Sequence, residues 1–167
     1  MQNNFDQVVD RRNTASVKFD ARKAVFGTED VIPLWVADMD FPAPQAVTDA
    51  LVERANHPVY GYSLYPESMF TAMQDWFQHR HQWTIVRKAI VMCPGVVPSM
   101  HAAIMALSSV GDKVIVQAPV YPPFFSAVTD TGRELVLNPL KLENERYSID
   151  VDHLKQCAAS GAKLLLL

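Results

Sequence analysis

The spacing of hydrophobic positions changes near residue 89. Before that point, apolar residues recur every three to four positions from Pro44 to about Asn56, and again from a start near Pro66. This period is typical of helices that bury one face. A short apolar run at Ile32–Ala37 predicts a strand. The mixed, polar residues 1–30 predict an arm rather than a core element.

After residue 89, short apolar runs alternate with amphipathic segments. The runs AIVMC, KVIVQA, RELVLNPL and AKLLLL each predict a strand. A helix is predicted from Pro98 to Ser108, and another begins at Asp150 or Asp152 and ends before Gly161. This alternation is typical of an α/β unit with a mostly parallel sheet, and the right-handed crossover rule places helices on both faces. The pattern predicts the first part of a doubly wound sheet behind an N-terminal arm.

The composition fits one compact globular unit and narrows its partners. The chain has 167 residues, of which 49% are hydrophobic and 20% are charged, and its net charge is −3. No basic run stands out, so we expect no nucleic-acid partner. The N-terminus lacks a signal-peptide pattern, and no apolar run approaches the roughly 20 residues of a membrane span. We therefore expect a soluble, cytoplasmic protein without a membrane partner.

Residues that bind metals or transfer protons are scattered along the chain. Cys93 and Cys157 form no CxxC pair, and the five histidines show no metal-ligand spacing, so we expect no metal site. Asp38 and Asp40 resemble a carboxylate pair, but they lie in a turn closed by prolines, where aspartates are common.

The chain stops on the apolar run AKLLLL, which predicts a buried strand without a closing element. We therefore expect a fragment of a longer protein.

The turn after the run AIVMC is a candidate anion site. In parallel sheets, ligands bind where strands end and helices begin, and Gly95 allows the backbone to turn sharply there. With Pro98 at the first helical position, the amides of Gly95, Val96 and Val97 are predicted to point outward at a helix N-terminus. Such a terminus favours a phosphate. A plain strand-to-helix turn is the alternative interpretation.

Tyr121 follows the next predicted strand. It lies between prolines in APVYPPF, on a stiff loop from which its ring could stack on a flat ligand. Packing of this ring into the core is the alternative. Together, a phosphate site and an aromatic platform on consecutive strand ends indicate an aromatic phosphate ester as the ligand.

Several motifs carry a resemblance to a known family: VMCPGVVPSM, APVYPPF, VADMDFPAP, YGYS and DRRNTASVKFD. They resemble the pyridoxal-phosphate enzymes of the aspartate aminotransferase fold (fold type I, class I/II aminotransferases). Within that fold they are most similar to the MalY/PatB-type cystathionine and cysteine-S-conjugate β-lyases. The resemblance extends along the whole chain in the family's order. It implies that this chain is the N-terminal part of such an enzyme.

The resemblance also implies roles for particular residues. Tyr62 of YGYS is implied to reach the cofactor of the neighbouring subunit, which implies a homodimer with shared active sites. Ala37 is implied to lie against the substrate carboxylate. No catalytic residue is implied within this chain, because the Schiff-base lysine is expected beyond Leu167. The cofactor-binding residues implied within one subunit are Gly95, Val96, Val97 and Tyr121.

The resemblance favours one activity and leaves two alternatives open. The favoured activity is a pyridoxal-phosphate-dependent carbon–sulfur β-lyase that converts cystathionine or related cysteine thioethers to pyruvate, ammonia and a thiol. An aminotransferase of the same fold shares every motif. A non-catalytic regulator of this fold is the third possibility, although the chain is acidic and shows no helix-turn-helix segment.

The resemblance also implies a division of the chain by function. Residues 1–42 form the arm and first strand, on the side of the small domain and the substrate. Residues 43–167 form the N-terminal part of the cofactor-binding large domain, which is incomplete at its C-terminus. Residues 1–167 alone are therefore expected to be inactive.

Overall fold

The structure is a computed structural model that describes residues 5–167; residues 1–4, the start of the expected arm, lie outside the described residues. The chain forms two compact units, Met1–Tyr65 and Pro66–Leu167. These units are defined by packing, whereas the expected division between residues 42 and 43 is one of function. That functional division stays a prediction.

The N-terminal unit consists of helices joined by extended segments. Within the described part of the chain, residues 32–43 make no backbone–backbone hydrogen bond. The predicted strand at Ile32–Ala37 is therefore wrong, because an apolar run becomes a strand only where a neighbour supplies a ladder. The predicted helix from Pro44 to about Asn56 is confirmed. The helices of this unit are α1 (Val17–Asp20), α2 (Arg22–Phe26) and α3 (Gln45–Ala55).

The C-terminal unit is built on a parallel sheet. Its helices are α4 (Glu67–His81), α5 (Val96–Leu107), α6 (Pro123–Thr129) and α7 (Val151–Ala159). Its strands are β1 (Lys113–Val116), β2 (Glu134–Leu137), β3 (Lys141–Glu143), β4 (Arg146–Ser148) and β5 (Leu164–Leu166). None of the helices in the described residues is long and apolar enough to span a membrane.

The order of the strands confirms the predicted α/β class. β1 lies between β2 and β5 and pairs in parallel with both. The chain passes from β1 through α6 to β2, and then through α7 to β5 on the opposite side of β1. Right-handed crossovers in opposite directions place α6 and α7 on opposite faces, as in a doubly wound sheet.

A buried hydrophobic cluster joins two helices to the central strand. It combines Ile104 of α5, Val114 and Val116 of β1, and Ala127 and Val128 of α6. α6 packs against α5, β1 and β2. Each fully buried valine or isoleucine side chain contributes about 1.5–3 kcal/mol relative to exposure. This core holds the amino end of α6 beside the carboxyl end of β1, where ligands of such sheets bind.

Two parts of the C-terminal unit differ from the sequence-based expectation. The run AIVMC forms no strand; a 3-10 helix (Arg87–Ala89) leads into an irregular segment that pairs with no strand in the described residues. The antiparallel hairpin of β3 and β4 was not predicted. Its two-residue turn uses Asn144 and Glu145 in the left-handed region, at φ 50° and 62°. Such turns usually contain glycine, which is absent here.

Candidate functional site

The backbone at Gly95 differs from the expected sharp turn. Gly95 precedes α5 with φ 170° and ψ 174°, an extended conformation that any residue adopts. The prediction that glycine is needed here for its conformational freedom is therefore wrong. A Cβ at this position would lie 3.8 Å from Cδ of Pro98, an ordinary van der Waals contact. What glycine provides is a backbone face without a side chain at the start of the helix.

The first turn of α5 leaves several amides without an intrahelical acceptor. The first N–H groups of any helix lack such acceptors, and no side chain caps this helix. Pro98 occupies the third helical position rather than the predicted first, and it has no N–H. The amides of Gly95, Val96 and Val97 thus remain at the positive end of the helix dipole. This arrangement suits an anion.

Tyr121 lies on the loop between β1 and α6, with its side chain exposed. The backbone before it is anchored, because Leu140 N–H donates to the carbonyl of Ala118 at 2.7 Å. Val120, its neighbour, packs against the same buried cluster as Met100 of α5. The Tyr121 loop and the start of α5 therefore border one core, and the ring itself is not part of it.

A buried polar network, which the sequence did not predict, holds the carboxyl ends of β1 and β2 together. Gln117 Nε2 donates to Asn138 Oδ1 at 2.8 Å. Asn138 Nδ2 lies 3.0 Å from His153 Nδ1 and donates to the carbonyl of Asp150 at 3.3 Å. Gln117 and Asn138 are both buried. A polar residue directly after each apolar run was the available signal, but its partner could not be read from the sequence.

Ala37 is exposed and stands beside a cluster of charged side chains in the N-terminal unit. Arg11 Nη1 lies 2.5 Å from Asp38 Oδ2 and 2.8 Å from Asp40 Oδ1. Lys18 Nζ lies 2.8 Å from Asp40 Oδ2. These four charged residues are called the arm–turn cluster. Asp38 and Asp40, which the sequence presented as simple turn residues, instead link the turn to the arm.

The electrostatics of the arm–turn cluster follow from these contacts. Hydrogen bonds from Lys18 and then Arg11 hold the pKa of Asp40 below its usual value. In return, hydrogen bonds to Asp40 and Asp38 raise the pKa of Arg11. The two cations therefore favour the ionised form of Asp40.

Tyr62 and Tyr60 lie on the same loop of the N-terminal unit but differ in their contacts. Tyr60 Oη donates to the carbonyl of Ala55 at 3.2 Å, and the guanidinium of Arg54 lies over its ring. Tyr62 is fully exposed. The structure describes no hydrogen bond or ring contact for Tyr62 within residues 5–167. Its side chain is therefore available to a partner outside its own unit.

The chemistry of these residues fits an aromatic phosphate ester. No group of three or more His, Cys, Asp and Glu side chains in the described part of the chain is placed to hold a metal ion. By contrast, the amides of α5 offer donors to a phosphate, the bare backbone of Gly95 leaves room beside them, and Tyr121 presents an exposed ring. The expected residues Ala37 and Tyr62 belong to the N-terminal unit, and Gly95, Val96, Val97 and Tyr121 to the C-terminal unit.

Comparisons with known proteins agree with this chemistry. A sequence model of the family "Aminotransferase class I and II" matches residues 29–167. Cystathionine beta-lyase PatB of Bacillus subtilis (strain 168) is 42% identical over 152 residues, which cover 91% of this chain and 39% of PatB. The chain spans about two fifths of the length of the curated relatives it matches.

Solved structures are similar over nearly the whole chain. A pyridoxal-phosphate-bound candidate aminotransferase of Clostridium difficile 630 has a TM-score of 0.94 and 36% identity, covering 99% of this chain and 43% of that one. Cystalysin of Treponema denticola, which contains a pyridoxal 5'-phosphate cofactor, has a TM-score of 0.91 and 31% identity, covering 99% and 43%. These similarities extend through both compact units.

Proposed function

The chain belongs to the aminotransferase class I and II family, and from that premise we propose that the whole protein is a pyridoxal-phosphate-dependent carbon–sulfur β-lyase. Its proposed substrates are cystathionine or related cysteine thioethers. The single observation that carries this proposal is the 42% identity to cystathionine beta-lyase PatB over 91% of the chain. The uncapped start of α5 supports the cofactor part of the proposal independently of that similarity.

The cofactor site is proposed to combine backbone and aromatic groups. The amides of Gly95, Val96 and Val97 bind the phosphate of pyridoxal phosphate, and the ring of Tyr121 stacks on its pyridine ring. The hydroxyl of Tyr62 reaches the phosphate in the partner subunit, so the protein is proposed to be a homodimer with shared active sites. When bound, pyridoxal phosphate supplies an electron sink that stabilises negative charge at the substrate Cα.

The substrate side of the site is proposed to lie at Ala37. This residue faces the substrate carboxylate, and residues 1–42 serve the substrate side while residues 43–167 form part of the cofactor-binding domain. In the overall reaction the Cβ–S bond of cystathionine breaks, and with one water the products are homocysteine, pyruvate and ammonia. The lysine that moves the Cα proton is proposed to lie beyond Leu167. We further place the protein in the cytoplasm.

Pyruvate release tests the proposed activity. The intact protein, loaded with pyridoxal phosphate, is expected to release pyruvate and an equal amount of thiol from cystathionine without any added 2-oxo acid. The matched control is the same protein freed of cofactor, which should release neither. Product formation that requires a 2-oxo acid would identify the protein as an aminotransferase, the alternative activity that the description of the family names.

A further inference from the structure

The turn that follows Ala37 is not held by its own backbone. Residues 38–42 belong to no helix or strand, and in the described part of the chain residues 32–43 make no backbone–backbone hydrogen bond. A segment of this kind is ordinarily mobile, because few interactions oppose its conformational entropy. Any fixed position of this turn must therefore come from side chains.

Two cations supply those contacts, and together they touch every residue from 38 to 40. Lys18 Nζ donates to the carbonyl of Asp38 at 2.9 Å and pairs with the Asp40 carboxylate. Arg11 Nη1 pairs with both carboxylates and lies 3.4 Å from the carbonyl of Met39. Charge-assisted hydrogen bonds are the stronger kind. The turn is therefore fixed at several atoms by residues that lie about 20 positions or more earlier in the chain.

Lys18 is unusual because its side chain is only 6% exposed. Lysines are almost never buried this fully unless they are paired, since an unpaired buried ammonium is costly. Its backbone is fixed as well, because Trp35 Nε1 donates to the Lys18 carbonyl at 3.1 Å. Lys18 is thus held from both ends between its helix and the segment that leads to Ala37.

From this geometry we propose that Lys18 and Arg11 are positioning residues that place the turn at Ala37 against the substrate carboxylate. The inference rests on the proposed function, because it assigns a use to the position proposed for Ala37. Neither cation touches the reacting atoms. Loss of either one lets the turn move, which weakens a contact that substrate and transition state share. The expected kinetic signature is a raised KM with kcat nearly unchanged.

Steady-state kinetics of the intact, cofactor-loaded protein test the catalytic consequence. Lys18→Met and Arg11→Met should each raise KM for cystathionine roughly tenfold while kcat changes less than about threefold. The ratio of kcat/KM for a cysteine thioether to kcat/KM for the corresponding α-carboxamide should fall by a similar factor. Only the carboxylate substrate loses a contact with the turn. The matched controls are Lys23→Met, at an exposed lysine, and Arg12→Met, since Arg12 pairs with Asp10 rather than with the turn. Both controls should resemble the wild type.

A nitroxide label tests the position of the turn without using activity. Met39 is exposed, so Met39→Cys can carry the label in a background without other reactive cysteines. The electron paramagnetic resonance spectrum of the label should show broad lines, typical of restricted motion, in the parent protein and in the control variants. Lys18→Met or Arg11→Met should narrow these lines, because the turn then moves more freely. Arg11→Met is the second route if Lys18→Met does not fold, because Arg11 is more exposed than Lys18.

The outcomes separate this inference from the proposed function. The positioning role is overturned if the spectrum is unchanged in both variants. It is also overturned if the spectrum narrows while KM and the preference for the carboxylate substrate stay at wild-type values. In either case the proposed lyase activity stands. An intact wild type that releases no pyruvate from cystathionine overturns the proposed function and, with it, the inference that rests on it.

Discussion

At the scale of single residues, Val96 offers a direct test of the anion site. Its side chain is 76% exposed at the first helical position of α5. In the intact protein, Val96→Asp should raise the dissociation constant of pyridoxal phosphate roughly tenfold or more, because a fixed carboxylate then repels the phosphate and competes for the same amides. Titration of the cofactor by absorbance or fluorescence measures this constant.

Val110 provides the control for that substitution. It belongs to the same unit and is 78% exposed, but it lies on the turn before β1, away from the start of α5. Val110→Asp should leave cofactor affinity unchanged. Equal affinity for wild type and Val96→Asp would place the phosphate elsewhere.

Residue-level features can be predicted from the sequence where the relevant contact is local. The free amides at the start of α5 follow from chain order alone, since a helix that begins near Val96 must leave them without acceptors. The contacts of Lys18 could not be predicted in this way. Lys18 and Asp40 lie 22 positions apart, and nothing in the sequence selects this carboxylate over others in the chain.

At the scale of elements, the start of α7 depends on Asp150. Its carboxylate accepts from the backbone N–H of His153 at 3.1 Å and pairs with Lys141 at 3.1 Å. Asp150→Ala should lower the melting temperature by about 1–2 °C through loss of the N-cap. Thermal unfolding of the intact protein, followed by circular dichroism, measures the change. Asp152→Ala is the control, because among the described residues Asp152 pairs with the exposed Lys155 and does not cap the helix.

The N-cap also predicts a pH dependence. The hydrogen bond from His153 and then that from Lys141 lower the pKa of Asp150 in the folded state. Its contribution is therefore fully present above the unfolded-state pKa near 4 and is lost as pH falls through the lower folded-state value. Asp150→Asn keeps an N-cap but does not titrate, so its stability should decline less between about pH 5 and pH 2. A decline equal to that of wild type would contradict this role.

Helices were predicted more successfully than strands because their hydrogen bonds are internal. The expected helix from Pro98 to Ser108 is observed as α5, Val96–Leu107. A strand requires a partner that the sequence of the strand does not reveal. The runs at Ile32–Ala37 and AIVMC have no such partner in the described residues, whereas the run AKLLLL pairs with β1.

At the scale of the whole molecule, Tyr62 tests the proposed shared site. Tyr62→Phe should raise the dissociation constant of pyridoxal phosphate roughly 10- to 100-fold, the value of one hydrogen bond to a charged group. The melting temperature should be unchanged, because the structure describes no hydrogen bond or ring contact of the fully exposed Tyr62 within its own unit. Tyr60→Phe is the control, since its hydroxyl bonds to Ala55. An active, monomeric intact protein would refute the shared site.

The last prediction concerns residues 1–167 without the rest of the proposed enzyme. A lysine that holds the cofactor must reach the space beside Gly95 and Tyr121, and the described segments 93–97 and 117–121 contain none. Lys113 and Lys163 lie at the amino ends of β1 and β5, the opposite edge of the sheet. Lys141 follows the carboxyl end of β2, but its ammonium is paired with Asp150 at 3.1 Å.

Borohydride reduction in the presence of pyridoxal phosphate identifies the lysine that binds the cofactor, because the reduced adduct stays attached to it. The intact protein should yield one stoichiometric adduct on a lysine beyond Leu167, whereas residues 1–167 alone should yield only scattered, substoichiometric labelling of exposed lysines and no pyruvate from cystathionine. Peptide mapping by mass spectrometry distinguishes the two patterns. A single stoichiometric adduct in the shorter chain, with pyruvate release, would show that a lysine within it moves to the cofactor. Lys141 would then be the first to examine, because release from Asp150 would free its ammonium at the carboxyl edge of the sheet.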